Sequence, residues 1–159
     1  MPGNERLIVC PHCSAINRIP VGRTADAANC GTCKKRLFVA EPLNAGQETF
    51  RRQIERNSIP VLVDVWTPWC GPCRMMGPEF AEAARMLEPN MRLLKLNSQD
   101  EPEIARQFGI QGIPTMLLFV NGRESARISG AMRASQIVSW ARGHAAVGSG
   151  RAFDLRQIT

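Results

Sequence analysis

The sequence has 159 residues and a formal net charge of +6, with 44% hydrophobic and 21% charged residues. This length allows one ordinary domain with a small appendage, and the composition excludes an intrinsically disordered chain. The opening residues, MPGNERLIVC, lack the apolar stretch of a secretory signal, and nowhere is an apolar run long enough to span a bilayer. We therefore expect a cytoplasmic protein, whose cysteines serve metal binding or redox catalysis rather than structural disulfides.

Two C-x-x-C pairs, Cys10/Cys13 and Cys30/Cys33, lie near the N-terminus, with sixteen polar, turn-rich residues between them. This spacing is typical of a zinc ribbon, in which four thiolates hold one Zn²⁺ in a closed, structural site. Two disulfides or four free thiols are the alternatives. We predict a small zinc-ribbon module over residues 1–40.

A regular alternation of helices and strands begins after a boundary that we place near residues 41–46, where EPLNAG interrupts the pattern. QETFRRQIERN, GPEFAEAARMLE, EPEIARQFG and ASQIVSWARGHA fit helices, and PVLVDVW, MRLLKLN, PTMLLFV and SARISG fit strands. The dipeptide Asn121-Gly122 predicts a hairpin between the last two strands. We expect an α/β fold over residues 47–145, with a central mixed sheet flanked by helices, and a flexible tail over residues 146–159.

The third cysteine pair, in Cys70-Gly71-Pro72-Cys73, directly follows a predicted buried strand and directly precedes a predicted helix. Unpaired backbone N–H groups and the helix dipole favour a thiolate at Cys70 in this position. Cys73 lies one turn further along the helix, close enough to form a disulfide with it. We predict that Cys70 attacks a substrate disulfide and that Cys73 resolves the resulting mixed disulfide.

Asp64 is a carboxylic acid in an otherwise apolar strand. Burial raises the pKa of such a carboxyl group, so that it could exchange protons near neutral pH. The alternatives are an aspartate that is satisfied by the backbone and one that forms a structural ion pair with Lys95.

The segment VDVWTPWCGPCRMMGP resembles the active-site segment of thioredoxins, and KLN, GIPT, FVNG and Gly130-Ala131 match later segments of that family in order. The segment CPHCSAINRIP is similar to the zinc-containing subgroup called thioredoxin 2, so that the resemblance covers about residues 7–145. It implies a thioredoxin fold preceded by a zinc ribbon, and a protein-disulfide reductase that a separate NADPH-dependent flavoprotein recharges. Because the sequence has no glycine-rich nucleotide motif, we expect no nucleotide or flavin in this chain.

The resemblance also implies roles for individual residues. Asp64 would accept the proton of Cys73, with Lys95 as its partner. Pro114 would be a cis-proline that faces the cysteine pair, so that Ile113 offers backbone groups to an extended substrate strand. The implied substrate-binding surface consists of Trp69, Gly71, Pro72, Ile113, Pro114 and Gly130. For Trp69 an ordinary surface or core aromatic is the alternative, and for Gly130 a plain turn glycine.

The same residues allow two competing functions. An oxidant or isomerase would use the same dithiol, but Gly71-Pro72 between the cysteines resembles reductants more than oxidants. A nucleic-acid-binding ribbon would use the basic residues of the N-terminal module, but Phe38 is the only aromatic residue there. We expect a monomer that acts on disulfide-containing proteins and binds neither nucleic acid nor a membrane.

Overall fold

A computed structural model describes the backbone of residues 5–158 and the side chains of residues 5–146. Its elements run in the order β1 (Arg6–Val9), β2 (Ile16–Ile19), β3 (Leu43–Asn44), α1 (Gln47–Arg56), β4 (Val61–Trp66), α2 (Gly71–Leu87), β5 (Arg92–Asn97), α3 (Pro102–Gln107), β6 (Thr115–Val120), β7 (Arg123–Ser129) and α4 (Ala134–Ile158). All helices and strands that the sequence predicts after residue 46 are confirmed, including the hairpin between β6 and β7.

The main sheet has the strand order β3-β5-β4-β6-β7. The strands β3, β5 and β4 are parallel, whereas β6 and β7 continue the sheet in antiparallel pairing. The strand β4 occupies the centre because its sequence, VLVDVW, is almost continuously apolar and suits a strand covered on both faces. The predicted α/β architecture with a mixed sheet is therefore confirmed.

Helices cover both faces of this sheet, since successive side chains of a strand point to opposite sides. Leu62 and Leu93 pack with α2 and α4, whereas Val63 and Leu94 pack with α1 and α3. By the same alternation, Asp64 lies on the Leu62 side of the sheet, the side covered by α2. The helix that carries the cysteine pair thus lies over the buried aspartate.

The segment 41–46, which we predicted as a boundary, contains a strand that the sequence does not indicate. Leu43 and Asn44 form β3 and pair in parallel with Leu94 and Lys95. A strand of two residues is too short to show a period-2 pattern. This segment therefore belongs to the edge of the main sheet.

The last helix, α4, continues beyond Ala145, where the sequence-based prediction ends it. Glycines such as those of GSG lower helix stability by only about 1 kcal/mol each, so they need not end a helix. The predicted flexible tail, residues 146–159, falls almost entirely outside the residues whose side chains are described.

Residues 5–40, which we call the ribbon, form a β1–β2 hairpin and a second turn closed by the bridge Asn29–Arg36. Residues 41–146 are called the main domain. The ribbon has its own small core, which includes Ile59 of the main domain. Three hydrogen bonds also join Leu7 and Ser58, at 2.8, 2.7 and 3.3 Å. The ribbon therefore docks beside the start of β4, at the opposite end of that strand from Cys70.

Candidate active site and candidate metal centre

Cys70 and Cys73 lie where β4 gives way to α2. Cys70 is the N-cap residue of α2, and the backbone N–H of Cys73 donates a hydrogen bond to its sulfur at 3.2 Å. The two sulfurs form a disulfide, and their Cα atoms are 5.2 Å apart. Cys70 is 7% exposed and Cys73 is 2% exposed. Cys70 is therefore the more accessible of the two.

The helix after Cys70 supplies a favourable field for negative charge on its sulfur. The N-terminus of a helix presents unpaired N–H groups and the positive end of the helix dipole. The first turn of α2 contains no acidic residue, and Arg74 follows Cys73 directly. When the disulfide is reduced, a thiolate at Cys70 is the form that this environment stabilises.

The loop before β6 faces the disulfide. The Ile113–Pro114 peptide bond is cis, as the resemblance to thioredoxins implies. The carbonyl oxygen of Ile113 lies 3.9 Å from the sulfur of Cys70. The backbone N–H of Gly130 donates to the carbonyl oxygen of Pro114 at 2.9 Å. The structure thus brings Cys70, Ile113, Pro114 and Gly130 together at one end of the sheet.

The surface around the disulfide is open and partly apolar. Trp69 is 69% exposed, so it does not belong to the core. Gly71 and Pro72 are exposed as well. Gly130 has a φ of +106°, which favours glycine, and a Cβ atom there would meet nothing within 4 Å. Space is therefore available for another chain to approach this surface.

Asp64 is fully buried beneath this surface, with an exposed fraction of 0%. Burial raises its pKa to about 7, although the positive charge of Lys95 acts in the opposite direction. Among the described residues, neither carboxylate oxygen has a hydrogen-bond partner. The alternative of an aspartate satisfied by the backbone therefore finds no support, and Asp64 is a buried carboxyl group whose pKa is raised by desolvation.

Lys95 is the residue directly opposite Asp64 in the pairing of β4 with β5. Its ammonium nitrogen lies 4.2 Å from the centroid of the Trp66 ring. In the described part of the chain, no ion pair within 4 Å joins Lys95 to Asp64. Lys95 therefore influences Asp64 through its charge, without the direct ion pair that the sequence offered as an alternative.

The other four cysteines form two turns with the same backbone pattern. In the first turn, the N–H of Ser14 donates to the carbonyl oxygen of Cys10 at 3.0 Å, and in the second that of Lys34 donates to Cys30 at 2.9 Å. Ser14 and Lys34 have positive φ angles of 66° and 70°. Backbone N–H groups also point at sulfur in both turns, from His12 to Cys10 and from Thr32 to Cys30, each at 3.3 Å. Both turns thus use the same backbone pattern to position the sulfur of their first cysteine.

The four sulfur atoms converge on one point. They lie within 4.8 Å of one another, and the pairs Cys10/Cys33 and Cys13/Cys30 are each 3.6 Å apart. A tetrahedral Zn²⁺ with Zn–S bonds of about 2.3 Å requires sulfur atoms about 3.8 Å apart. None of the four cysteines forms a disulfide. The donor set and its geometry therefore fit a bound metal ion.

Hydrogen bonds favour the thiolate at one of these cysteines. The N–H of Cys33, the side-chain amide of Asn17 and the N–H of Thr32 all donate to the sulfur of Cys30 and lower its pKa to about 5, against the opposing effect of burial. At Cys10 burial has the larger effect and raises the pKa to about 12. Metal ions bind the deprotonated sulfur, so the donors at Cys30 support ligation.

Sequence reasoning missed a buried polar contact between the ribbon and the main domain. Gln53, Asn57 and Arg92 are at most 5% exposed, and each forms a hydrogen bond with Val9 of the ribbon. Arg92 also lies over Phe38, the aromatic residue that we considered for nucleic-acid stacking, and Phe38 is only 4% exposed. Arg92 at the start of the predicted strand β5 was a possible signal, but nothing local identifies its partner.

A redox-active dithiol at the N-terminus of a helix, after the central strand of a mixed sheet, defines a thiol–disulfide oxidoreductase. The accompanying four-cysteine cluster adds a metal-binding ribbon. No helix within residues 5–158 is both long enough and apolar enough to cross a membrane.

Comparison with known proteins extends this assignment. The family profile "Thioredoxin 2, N-terminal" matches residues 9–35, and the profile "Thioredoxin" matches residues 41–143. Thioredoxin C-3 of Corynebacterium nephridii is 38% identical over 134 residues, which cover 84% of this chain and 92% of that protein. Thioredoxin 1 of Synechococcus elongatus is 42% identical over 84 residues, covering 53% of this chain and 78% of that protein. The structure of a mutant thioredoxin from Halobacterium salinarum superimposes with a TM-score of 0.61 at 25% identity, covering 68% of this chain and 94% of that one.

The chain therefore belongs to the thioredoxin family. It is a protein-disulfide reductase with the C-x-x-C active site Cys70–Cys73 and an N-terminal zinc ribbon. Membership of this family implies proteins with disulfides as substrates and a thioredoxin reductase as the source of electrons.

Proposed function

We propose that Cys70 is the attacking thiolate and Cys73 the resolving thiol in the reduction of protein disulfides. Cys70 forms a mixed disulfide with one substrate sulfur and releases the other as a thiolate, which takes a proton. Cys73 then attacks the sulfur of Cys70 and releases the second substrate thiol, which leaves the Cys70–Cys73 disulfide. The observation that carries this proposal is the disulfide itself, placed at the N-terminus of α2 with Cys70 as the more accessible sulfur.

In this proposal, Asp64 accepts the proton that Cys73 loses as it attacks, and Lys95 tunes the carboxylate through its positive charge. A pKa of about 7 for Asp64 suits a group that exchanges protons near neutral pH. The position of Asp64 on the face of the sheet that α2 covers supports this role, since Cys73 is a buried residue of that helix.

The substrate polypeptide is proposed to lie across Trp69, Gly71, Pro72, Ile113, Pro114 and Gly130. The exposed indole of Trp69 would contact apolar substrate side chains, and the backbone of Ile113 would pair with an extended substrate segment. The closeness of the Ile113 carbonyl oxygen to the sulfur of Cys70 supports this placement, because a strand bound there would run past the nucleophile.

We further propose that the four-cysteine cluster holds one structural Zn²⁺ through Cys10, Cys13, Cys30 and Cys33. Four thiolates close the coordination sphere, so that the metal stabilises the ribbon and leaves no open position for a substrate. No redox step involves this site in the proposed mechanism.

The electrons are proposed to come from an NADPH-dependent flavoprotein, and the chain itself to act as a cytoplasmic monomer. Four free thiols that serve as metal ligands fit a reducing compartment, which supports the location. Light scattering of the purified protein checks the monomeric state.

The direct test is reduction of insulin disulfides, driven by NADPH and a thioredoxin reductase. We expect turnover that depends on both, and no turnover would overturn the reductase proposal. Measuring the equilibrium reduction potential of Cys70–Cys73 separates a reductant, expected near about −270 mV, from an oxidant near about −120 mV.

A further inference from the structure

Arg92 is the first residue of β5, and its side chain contacts the ribbon. Its exposed fraction is 1%. The guanidinium group donates to the carbonyl oxygen of Val9 at 2.9 Å and lies 4.5 Å from the ring centroid of Phe38. It also donates to the side chain of Gln53 at 3.3 Å. One buried cation of the main domain thus contacts both the start and the end of the ribbon.

Val9 directly precedes Cys10, and the main domain holds both of its backbone polar groups. The carbonyl oxygen of Val9 accepts the hydrogen bond from Arg92, and its N–H donates to the side chain of Asn57 at 2.7 Å. The chain entering the metal cluster is therefore fixed from outside the ribbon, at the residue before Cys10.

Glu88 forms an ion pair with Arg92 and also contacts the ribbon. Its carboxylate lies 3.8 Å from the guanidinium group and accepts a hydrogen bond from the N–H of Ala40 at 2.7 Å. The side chains of Arg92 and Glu88 are 2% and 4% exposed. Removing one partner of a buried ion pair leaves the other charge uncompensated, so this contact is sensitive to single substitutions.

The charge of Arg92 also has the sign that a loaded cluster requires. A divalent metal ion with four thiolates carries a net charge of −2, and a buried cation nearby offsets part of it. Groups that orient metal ligands from outside the coordination sphere commonly alter metal affinity by about 10–100-fold.

We propose that Arg92 is a positioning residue for the metal centre, and that it couples metal binding in the ribbon to the stability of the main domain. The inference rests on the proposed Zn²⁺ site. Because coupling free energies are reciprocal, the main domain strengthens metal binding by as much as the metal stabilises the docked arrangement.

The test compares Zn²⁺ affinities of full-length proteins by competition with a chromophoric chelator. Arg92→Met removes the charge and the hydrogen bonds but keeps an apolar stem, and it should weaken Zn²⁺ binding about 10–100-fold. Arg92→Lys keeps the positive charge and should therefore weaken Zn²⁺ binding less than Arg92→Met does. The matched control is Arg106→Met, because Arg106 is exposed and paired with Glu103 on α3. It should leave the affinity unchanged.

A purely structural role for Arg92 predicts a different pattern. The substitution would then lower the stability of the zinc-loaded and zinc-free proteins equally and leave Zn²⁺ affinity unchanged, which would overturn the inference. A wild-type protein that bound no Zn²⁺ at all would instead overturn the proposed metal site, and the inference with it.

A second measurement uses only the wild-type protein, so it does not depend on whether a variant folds. Hydrogen exchange of the wild-type protein, with Zn²⁺ and after its removal, reports the coupling residue by residue. We expect removal to increase exchange both in the ribbon and in main-domain residues 53–58 and 88–93. Increased exchange confined to residues 5–40 would contradict the coupling.

Discussion

The dithiol site and the four-cysteine cluster use the same C-x-x-C spacing in two different backbone settings. At Cys70 and Cys73 the chain continues into a helix of 17 residues, and only two sulfurs meet, in a disulfide. In the ribbon, each cysteine pair is followed by a residue with positive φ, which turns the chain back, and four sulfurs meet. The two kinds of site thus differ in the backbone conformation that follows each cysteine pair and in the number of sulfur atoms that meet.

The two sites also differ in their surroundings. The disulfide lies beside exposed Trp69 and above the buried carboxyl group of Asp64. The cluster instead lies next to a buried cation, Arg92, and a set of backbone N–H donors. The first setting suits a thiol that reacts with a partner and exchanges protons, and the second suits thiolates that remain bound to a metal ion.

The largest effect is expected at the nucleophile. Cys70→Ser should abolish NADPH-driven insulin reduction, because a serine hydroxyl does not attack disulfides at neutral pH. Zn²⁺ content should remain that of the wild type, since the cluster lies at the other end of β4. Residual turnover well above background would show that Cys70 is not the attacking group.

Substitution of a metal ligand in the ribbon should affect metal content rather than reductase activity. Cys10→Ser should lose the metal ion and destabilise the ribbon, because three thiolates no longer close the site. Much of the reductase activity should remain. The matched control, Thr32→Ala, alters an exposed residue between Cys30 and Cys33 and should retain the metal. A variant that kept full metal content, measured by elemental analysis, would contradict the ligand set, and total loss of activity would place the ribbon in the catalytic machinery.

Asp64→Asn should affect both rate and stability. Replacing the proton acceptor should slow insulin reduction about 10–100-fold and remove the rise of the wild-type rate as pH increases through about 7. The measurement is the pH–rate profile of each protein. A variant with an unaltered profile would exclude Asp64 as the proton acceptor.

Asp64 should make the stability of the protein fall as pH rises, whereas it makes the reaction rate rise. Because folding raises the pKa of Asp64 from 3.8 to about 7, the native state binds this proton more tightly than the unfolded state. Stability is therefore unaffected by this group below about pH 4, falls between pH 4 and 7, and is about 4 kcal/mol lower above pH 7. Chemical denaturation should show this decline in the wild type, whereas Asp64→Asn should lack it. Parallel pH curves would argue against a buried proton-binding carboxyl group.

The smallest effect is expected at the docking surface. Trp69→Ala should raise KM for insulin about fivefold, equivalent to about 1 kcal/mol, while rates with a small aliphatic disulfide stay unchanged. Stability should change little, because Trp69 is 69% exposed. Val21→Ala removes an exposed apolar residue of the ribbon, 66% exposed, and serves as the control. Equal KM values for both variants would remove Trp69 from the proposed surface.

Local patterns in the sequence were sufficient for much of the fold. The buried strand before Cys70, the helix after it and the turn at Asn121-Gly122 each have a signature within a few residues. The four-cysteine cluster was predictable for the same reason, since its ligand spacing is local within each pair. The two turns were expected to lie together because all four cysteines were predicted to bind the same metal ion.

The features that the sequence did not indicate depend on contacts between distant segments. Arg92 meets Val9 across 83 positions of the chain, and neither residue has a local pattern that identifies the other. The strand β3 is too short for periodicity, and its pairing with β5 emerges only in the folded sheet. The position of Lys95 over Trp66, rather than in an ion pair with Asp64, likewise depends on side-chain packing that spacing alone does not determine.

The central claim is that Cys70 attacks and Cys73 resolves, and trapping of the intermediate tests it most directly. The Cys73→Ser protein, reduced and mixed with oxidised insulin, is digested without reductant and examined by mass spectrometry. We predict a stable mixed disulfide between Cys70 and an insulin cysteine. An adduct on any other cysteine of the chain, or no adduct at all, would contradict the mechanism.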